Sequence, residues 1–326
     1  MTTLRHAARF ALLLSLLVLV ACRNDASETS TNGRPAILPD MMQSGSNADA
    51  TPPAVPFDLA TPKLVARAVR SWPHDTSAYT QGLMFDHGRL LESTGLEGKS
   101  DLRELDRATG RVLHKVALPP DVFGEGIASA DDSVYQLTWK KGRGYVYDAR
   151  TLALADSVSY PGEGWGLASD GRYLYFSDGT SEIRVLDPNG FHELRRIRVT
   201  ESGQPVWMLN ELELVRGELW ANIYETNLVA RIELATGHVV GWVDLGTLLT
   251  TAERDAVAKR GGVANGIAFD PSSNVLLVTG KLWPRMFEIE LPELRRPAVP
   301  PSAAPAARNP APSAAASAAG RSSSSR

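Results

Sequence analysis

The chain has 326 residues, 43% hydrophobic and 22% charged, with a formal net charge of -3. These are ordinary globular values, and the near-neutral balance offers no basic stripe for nucleic acid. The length allows one large β domain or two smaller domains.

The N-terminus reads as an export signal. Arg5 and Arg9 precede an apolar run from Phe10 to Val20, too short and too early for a transmembrane helix. The run ends in Leu19-Val20-Ala21-Cys22, which resembles a bacterial lipobox. Residues 1–22 are therefore expected to be a lipoprotein signal peptide, with Cys22 diacylated as the first mature residue. A plain secretory signal with an incidental cysteine is the alternative. Two acyl chains anchor stably where one would be marginal. Cys22 is the only cysteine, so the mature chain would hold no disulfide and no thiol nucleophile. Arg23 after the cysteine, in place of Asp, points to the periplasmic face of the outer membrane. Residues 23–62, rich in Ser, Thr, Asn, Pro and Ala, read as a flexible tether. Residues 63–292 carry the domain, and residues 293–326, a Pro/Ala/Ser stretch, read as a disordered tail.

Within the domain five segments share one pattern. They open at Gln81-Gly82-Leu83, Glu125-Gly126-Ile127, Trp165-Gly166-Leu167, Asn210-Glu211-Leu212 and Asn265-Gly266-Ile267. After each opening come a turn, a second apolar run and a third strand ending in an acid: Asp106, Asp148, Asp187, Glu233 and Glu290. Short strands and turns at a period in the forties predict an all-β, five-bladed β-propeller. Leu64 to Arg70 is placed to supply the outer strand of the last blade and lock the ring. The longest repeat contains Thr250 and Glu253 at capping-box spacing and Gly261 at a stop position, predicting a helix over 251–260. That insertion is either a surface elaboration or a lid.

Equivalent positions in a propeller lie at equivalent heights around the axis. Gln81, Glu125, Trp165, Asn210 and Asn265 should converge at one end of the channel, with Thr94, Trp139, Asp178, Tyr224 and Lys281 near the same mouth. One carboxylate in the opening ring and Asp178 in the second, with three aromatics, several amides and a lysine around a concavity, suit a small polar ligand held between aromatic walls. A solvated funnel is the plainer reading. No serine nucleophile elbow is present, and the six histidines show no metal-ligand spacing. A structural hydrogen bond is expected for the turn-like His74-Asp75.

Several motifs then become recognisable: His74-Asp75 with Tyr79-Thr80-Gln81-Gly82-Leu83, Glu92-Ser93-Thr94-Gly95, Phe123-Gly124-Glu125-Gly126 and Gly162-Glu163-Gly164-Trp165-Gly166-Leu167. Further along come Ser177-Asp178-Gly179-Thr180, Leu209-Asn210-Glu211-Leu212-Glu213, Ala221-Asn222-Ile223 and Val278-Thr279-Gly280-Lys281-Leu282-Trp283-Pro284. Together, from about Trp72 to Leu291, they resemble the plant-type and bacterial glutaminyl-peptide cyclotransferases. The resemblance implies a five-bladed propeller, peptides or proteins with N-terminal glutamine as substrates, no cofactor and no metal. It implies that Glu125 is the catalytic acid/base and that Gln81, Trp139, Trp165, Asn210, Glu211 and Lys281 line the pocket. Tyr79 and Tyr224 stand where Phe and Trp are usual, and Glu225 replaces a usual Gln; the two tyrosines are expected to alter fit, not chemistry.

For such a reaction, burial against Trp139 and Trp165 would favour the neutral substrate amine. Lys281, with the Gln81 or Asn210 amide, would stabilise an oxyanion, and Glu211 is an alternative seat for the amine. The rival readings are a non-catalytic ligand-binding propeller on the cell envelope and a calcium-dependent lactonase, which would need several converging carboxylates. A monomer with no nucleic-acid partner is expected, held at the membrane by its lipid.

Overall fold

The computed structural model describes residues 61–291. Cys22, the expected signal peptide, almost all of the tether and the C-terminal tail lie outside the described residues. The chain opens with β1 (Lys63–Val65) and β2 (Arg67–Pro73). Blade one follows as β3 (Thr80–Asp86), β4 (Arg89–Thr94), β5 (Asp101–Leu105) and β6 (Val112–Ala117). Blade two is β7 (Gly124–Ala130), β8 (Ser133–Thr138), β9 (Arg143–Asp148) and β10 (Leu154–Ser159). Blade three is β11 (Leu167–Ser169), β12 (Leu174–Phe176), β13 (Glu182–Asp187) and β14 (His192–Arg198). A small hairpin, β15 (Thr200–Glu201) and β16 (Gln204–Pro205), leads to blade four: β17 (Leu209–Val215), β18 (Glu218–Ile223), β19 (Leu228–Glu233) and β20 (Val239–Asp244). After α1 (Thr251–Ala258), blade five has β21 (Ala264–Asp270), β22 (Val275–Gly280) and β23 (Arg285–Glu290).

The ring has the predicted five blades, and its closure differs from the expected one. The segment proposed as one outer strand divides between two blades. β2 pairs antiparallel with β23 and completes blade five. β1 instead adds a fifth strand to blade four, parallel to β20. Ala66, between them, is buried, and its N–H donates to Asp244 O at 2.9 Å. β1 and β2 lie on either side of Ala66, so one short segment staples two blades.

The inner strands β3, β7, β11, β17 and β21 neighbour one another in that cyclic order, and β21 returns to β3. One apolar cluster fills each gap between blades. Met84, Leu91 and Leu102 meet Ile127 and Val134, for example, and Leu83 and Leu90 meet Ala268, Leu277 and Met286. Alternation along each strand thus serves two neighbours at once, one per face. The helix carries the expected capping box: Glu253 N donates to Thr250 Oγ1 at 3.3 Å, and Thr250 N to Glu253 Oε2 at 2.9 Å. It stops at Ala258, two residues before the expected end, with Gly261 in the left-handed region beyond.

A buried ion pair sits where the start of the ring meets its end. His74 Nδ1 lies 2.9 Å from Trp283 O, and Nε2 lies 2.9 Å from Glu92 Oε1, which also accepts from Thr80 Oγ1 at 2.7 Å. His74 therefore pairs with Glu92. Its sequence neighbour Asp75 accepts from Ser77 and pairs with Arg103 at 3.0 Å. Burial opposes charge on both partners, but mutual attraction and the hydrogen bonds outweigh it. They raise His74 above its ordinary 6.5 and lower Glu92 below its ordinary 4.5.

His74→Ala leaves the buried Glu92 carboxylate with only the Arg103 guanidinium, 4.0 Å away, and is expected to cost about 3 kcal/mol in urea denaturation. The imidazole's share of stability is fully present below pH 6.5 and disappears as pH rises through its raised folded value. The share of Glu92 is present above pH 4.5 and disappears as pH falls. The difference between wild type and variant is therefore expected to be largest between pH 4.5 and 6.5 and to shrink on either side.

Candidate active site

In four blades the inner hairpin slips register at the repeat opening: between Thr80 and Gly82, Gly124 and Ile127, Leu209 and Leu212, and Ala264 and Ile267. Such a bulge leaves one residue out of the ladder and re-aims its side chain. Gln81, Glu125, Asn210 with Glu211, and Asn265 occupy these slips, and all are at most 1% exposed. In blade three Trp165 precedes β11, and its carbonyl accepts from Gly126 N at 2.7 Å. The adjacent glycines permit this packing. A Cβ on Gly126 would lie 2.5 Å from Leu167 N, and one on Gly166 would lie 2.0 Å from Asn210 O.

Glu211 occupies the position that is glycine in the other four repeats. Its side chain crosses toward other blades, where Oε1 accepts from Leu83 N at 3.3 Å and from the Ile267 backbone. The mouth therefore holds a second carboxylate beside Glu125, correcting the single one counted from the opening ring. Burial raises both well above the usual carboxylate range; Lys281 restrains both, while Glu163 adds to Glu125 and Glu213 to Glu211.

Lys281 follows β22 and is completely buried. Burial pulls its ammonium down to about 8, against the attraction of Glu125 and Glu211. Nζ donates to Gln81 Oε1 and stands 4.9 Å from the centre of the Tyr79 ring and 5.7 Å from that of Tyr224. Asn265 Nδ2 lies 3.4 Å from the same Gln81 oxygen. With its carbonyl committed to two donors, Gln81 presents Nε2, which has no partner. Glu125 Oε1, Asn210 Oδ1, Glu211 Oε2 and Asn265 Oδ1 are likewise buried and unpaired. Buried polar groups are ordinarily paired, so this concentration marks a place built to receive a polar ligand.

Two aromatic groups wall the mouth. Tyr79 meets Phe123 edge-on at 6.0 Å, and Phe123 meets Trp139 at 5.6 Å; Trp165 meets Tyr224 at 5.6 Å. The Tyr79 and Tyr224 phenols are hydrogen-bonded to each other, and burial pushes Tyr79 up to about 12. Val263, just after the helix, packs against Trp165 and Tyr224. Gly262 and Val263 back Lys281, whose N–H donates to Val263 O at 2.8 Å. The segment between the helix and β21 thus forms part of the wall.

The structure brings Tyr79, Gln81, Glu125, Trp139, Trp165, Asn210, Glu211, Tyr224 and Lys281 to one end of the channel. Two expected members of the second ring have other work. Thr94 Oγ1 bonds Asp101 Oδ1 at 2.9 Å, and Asp178 caps its own turn through Thr180 at 2.6 Å. Phe123 and Glu163 belong to the mouth but carried no role from the sequence. A charged residue between Gly162 and Gly164 was the available signal for Glu163. At the opposite end a cavity of about 630 Å³ has Glu213, raised to about 8 by burial, with Oε1 accepting from Phe269 N at 2.9 Å. Among the described residues no group of three or more His, Cys, Asp or Glu is arranged to hold a metal ion.

A sequence profile for glutamine cyclotransferases matches residues 41–291. A glutaminyl-peptide cyclotransferase of Arabidopsis thaliana is 39% identical over 228 residues, covering 68% of this chain and 70% of the relative. The crystal structure of Myxococcus xanthus glutaminyl cyclase superposes with a TM-score of 0.64 at 37% identity, covering 71% of this chain and 97% of that one.

A Cβ on Gly95 would lie 2.3 Å from Phe123 Cε1, so Gly95 makes room for the ring that joins Tyr79 to Trp139. Gly95→Ala is expected to push Phe123 aside and destabilise the fold by about 1–3 kcal/mol. Thermal denaturation checks the stability, and a raised KM would report the displaced wall.

Proposed function

The chain belongs to the glutamine cyclotransferase family, and from that premise we propose that it closes the N-terminal glutamine of peptides and proteins into pyroglutamate, releasing ammonia. The observation that carries the reading is Glu125 Oε1, buried and unpaired, with Lys281, Tyr79 and Tyr224 facing the carboxyl.

The reaction forms a bond between the substrate's α-nitrogen and its own γ-carbon and breaks the bond from that carbon to the amide nitrogen. Aromatic walls favour the neutral amine and hold the side chain folded back, so both reacting atoms stay within reach. Glu125 takes a proton from the α-nitrogen as the ring closes and returns it to the departing nitrogen, which leaves as ammonia. Its raised proton affinity brings it closer to that of an amine, which suits a group that must both accept and release. The developing oxyanion is met by Lys281 Nζ and by the unpaired Nε2 of Gln81, which Lys281 itself orients. Asn210 Oδ1 and Glu211 Oε2 are unpaired acceptors available to the substrate's donors.

We further propose that residues 1–22 are a lipoprotein signal, that the enzyme is anchored through Cys22 on the periplasmic face of the outer membrane, and that residues 23–62 tether it there. The lipobox-like Leu19-Val20-Ala21-Cys22 supports this. Cys22→Ala is expected to abolish incorporation of labelled fatty acid and release the protein from membranes; a wild-type protein that takes up no label rules out the anchor.

Glu125→Gln keeps size and hydrogen bonding but cannot take up the proton, and kcat is expected to fall about 10²–10⁴-fold. Lys281→Ala is expected to cost about 10²–10³-fold. Steady-state release of ammonia from a glutaminyl amide measures both, with circular dichroism to verify folding. A folded Glu125→Gln enzyme with near-normal kcat sinks the assignment.

A further inference from the structure

One carboxylate oxygen joins the walls of the mouth. Glu163 Oε2 accepts the indole N–H of Trp139 at 2.7 Å and that of Trp165 at 2.9 Å. The two tryptophans come from different blades. Trp139 follows β8 and continues the Phe123–Tyr79 group, while Trp165 belongs with Tyr224. The loop presenting Glu163 is itself fixed. Gly162 is left-handed at φ 80°, and Gly164 N donates to Trp139 O at 3.1 Å. A Cβ on Gly164 would lie 2.7 Å from the Tyr160 hydroxyl, which donates to Thr138 O at 2.7 Å.

We infer that Glu163 is a positioning residue for the cyclisation. It clamps Trp139 and Trp165 at the spacing that holds the folded substrate and places a fixed negative charge near Glu125. The inference rests on the reading of Glu125 as acid/base. Two charge-assisted hydrogen bonds converging on one oxygen tie the two indoles to each other, in addition to the packing of Trp165 against Gly179. The charge is a separate effect. Trp165, which Glu163 holds, accepts from Gly126 N, next to Glu125, at 2.7 Å, and among the groups around Glu125, Lys281 favours its ionised form while Glu163 disfavours it. The phenols of Tyr79, Tyr160 and Tyr224 also face it, and all three are held neutral by burial. Removing the charge of Glu163 should thus lower the proton affinity of Glu125, whichever way the proton moves.

The full-length chain carrying Glu163→Ala, Glu163→Gln or Glu163→Asp separates clamp from charge. Alanine removes both, glutamine keeps an acceptor oxygen without the charge, and aspartate keeps the charge but is one methylene too short to reach both indoles. Acrylamide quenching of tryptophan fluorescence reads the clamp without turnover. Ammonia release from a glutaminyl amide across pH gives KM, kcat and the titrating limbs. For alanine and aspartate, quenching should rise, and KM should increase about tenfold or more through loss of a charge-assisted bond. Glutamine should restore quenching and KM to near wild type while shifting the limb that titrates Glu125 to lower pH. Unchanged quenching and KM in the alanine and aspartate variants overturn the clamp, and an unmoved limb in the glutamine variant overturns the electrostatic role. If the wild type releases no ammonia, the reading of the reaction fails, and quenching still decides the clamp. If alanine unfolds, aspartate and glutamine decide both points.

Discussion

The site depends on how closely the five inner strands approach one another at the channel end. At Gly126 and Gly166 the backbone of the next blade stands where a side chain would be. In four of the five blades the ladder also slips at this opening, and the slip turns Gln81, Glu125, Asn210 and Asn265 out of register. Polar side chains in the middle of an inner strand would otherwise face apolar interblade cores and weaken the ring. Here one geometric constraint both packs the blades and concentrates hydrogen-bonding groups on the axis.

Burying two carboxyls and an ammonium together is expensive in any protein, and the surrounding architecture holds them in place. Five interblade clusters fix the strands from outside, and the Tyr79–Phe123–Trp139 and Trp165–Tyr224 groups fix the mouth from above. In this buried setting Glu125 and Lys281 shift toward one another in proton affinity, upward for the acid and downward for the base. Glu211 is held differently, by backbone N–H groups of two other blades, so it acts as a fixed acceptor joining the inner strands across the axis.

Much of this was legible in the sequence. The openings, second runs and acid-terminated third strands repeat because the same two faces are buried in every blade. The outer strands did not stand out. β6, with the pattern Val-Leu-His-Lys-Val-Ala, and β10 are largely exposed, so their composition is under little hydrophobic constraint. The split of the N-terminal segment was also hidden, because nothing around Ala66 marks where one blade ends and the next begins. Helix α1 was legible because Thr250 and Glu253 act locally. In the site, position within the repeat placed Glu125, Trp165 and Asn210, and resemblance assigned their roles. Glu163 escaped because its partners lie 2 and 24 residues away, and only the folded loop brings both indoles to one oxygen. Thr94 stands near the mouth, but repeat position gives height along the axis and not the direction of a hydroxyl, here drawn to Asp101.

The seam between blade five and blade one has a consequence for biosynthesis. Its outer strand β2 is made first and its remaining strands last, and the contact between Lys281 and Gln81 spans the same seam. A growing chain can build blades one to three as local meanders, but it cannot complete the ring until about residue 290 has emerged. The nascent protein is therefore without its lysine until the circle shuts. An incomplete polypeptide lacks the joined mouth, and the appearance of turnover would time-stamp the last step of folding.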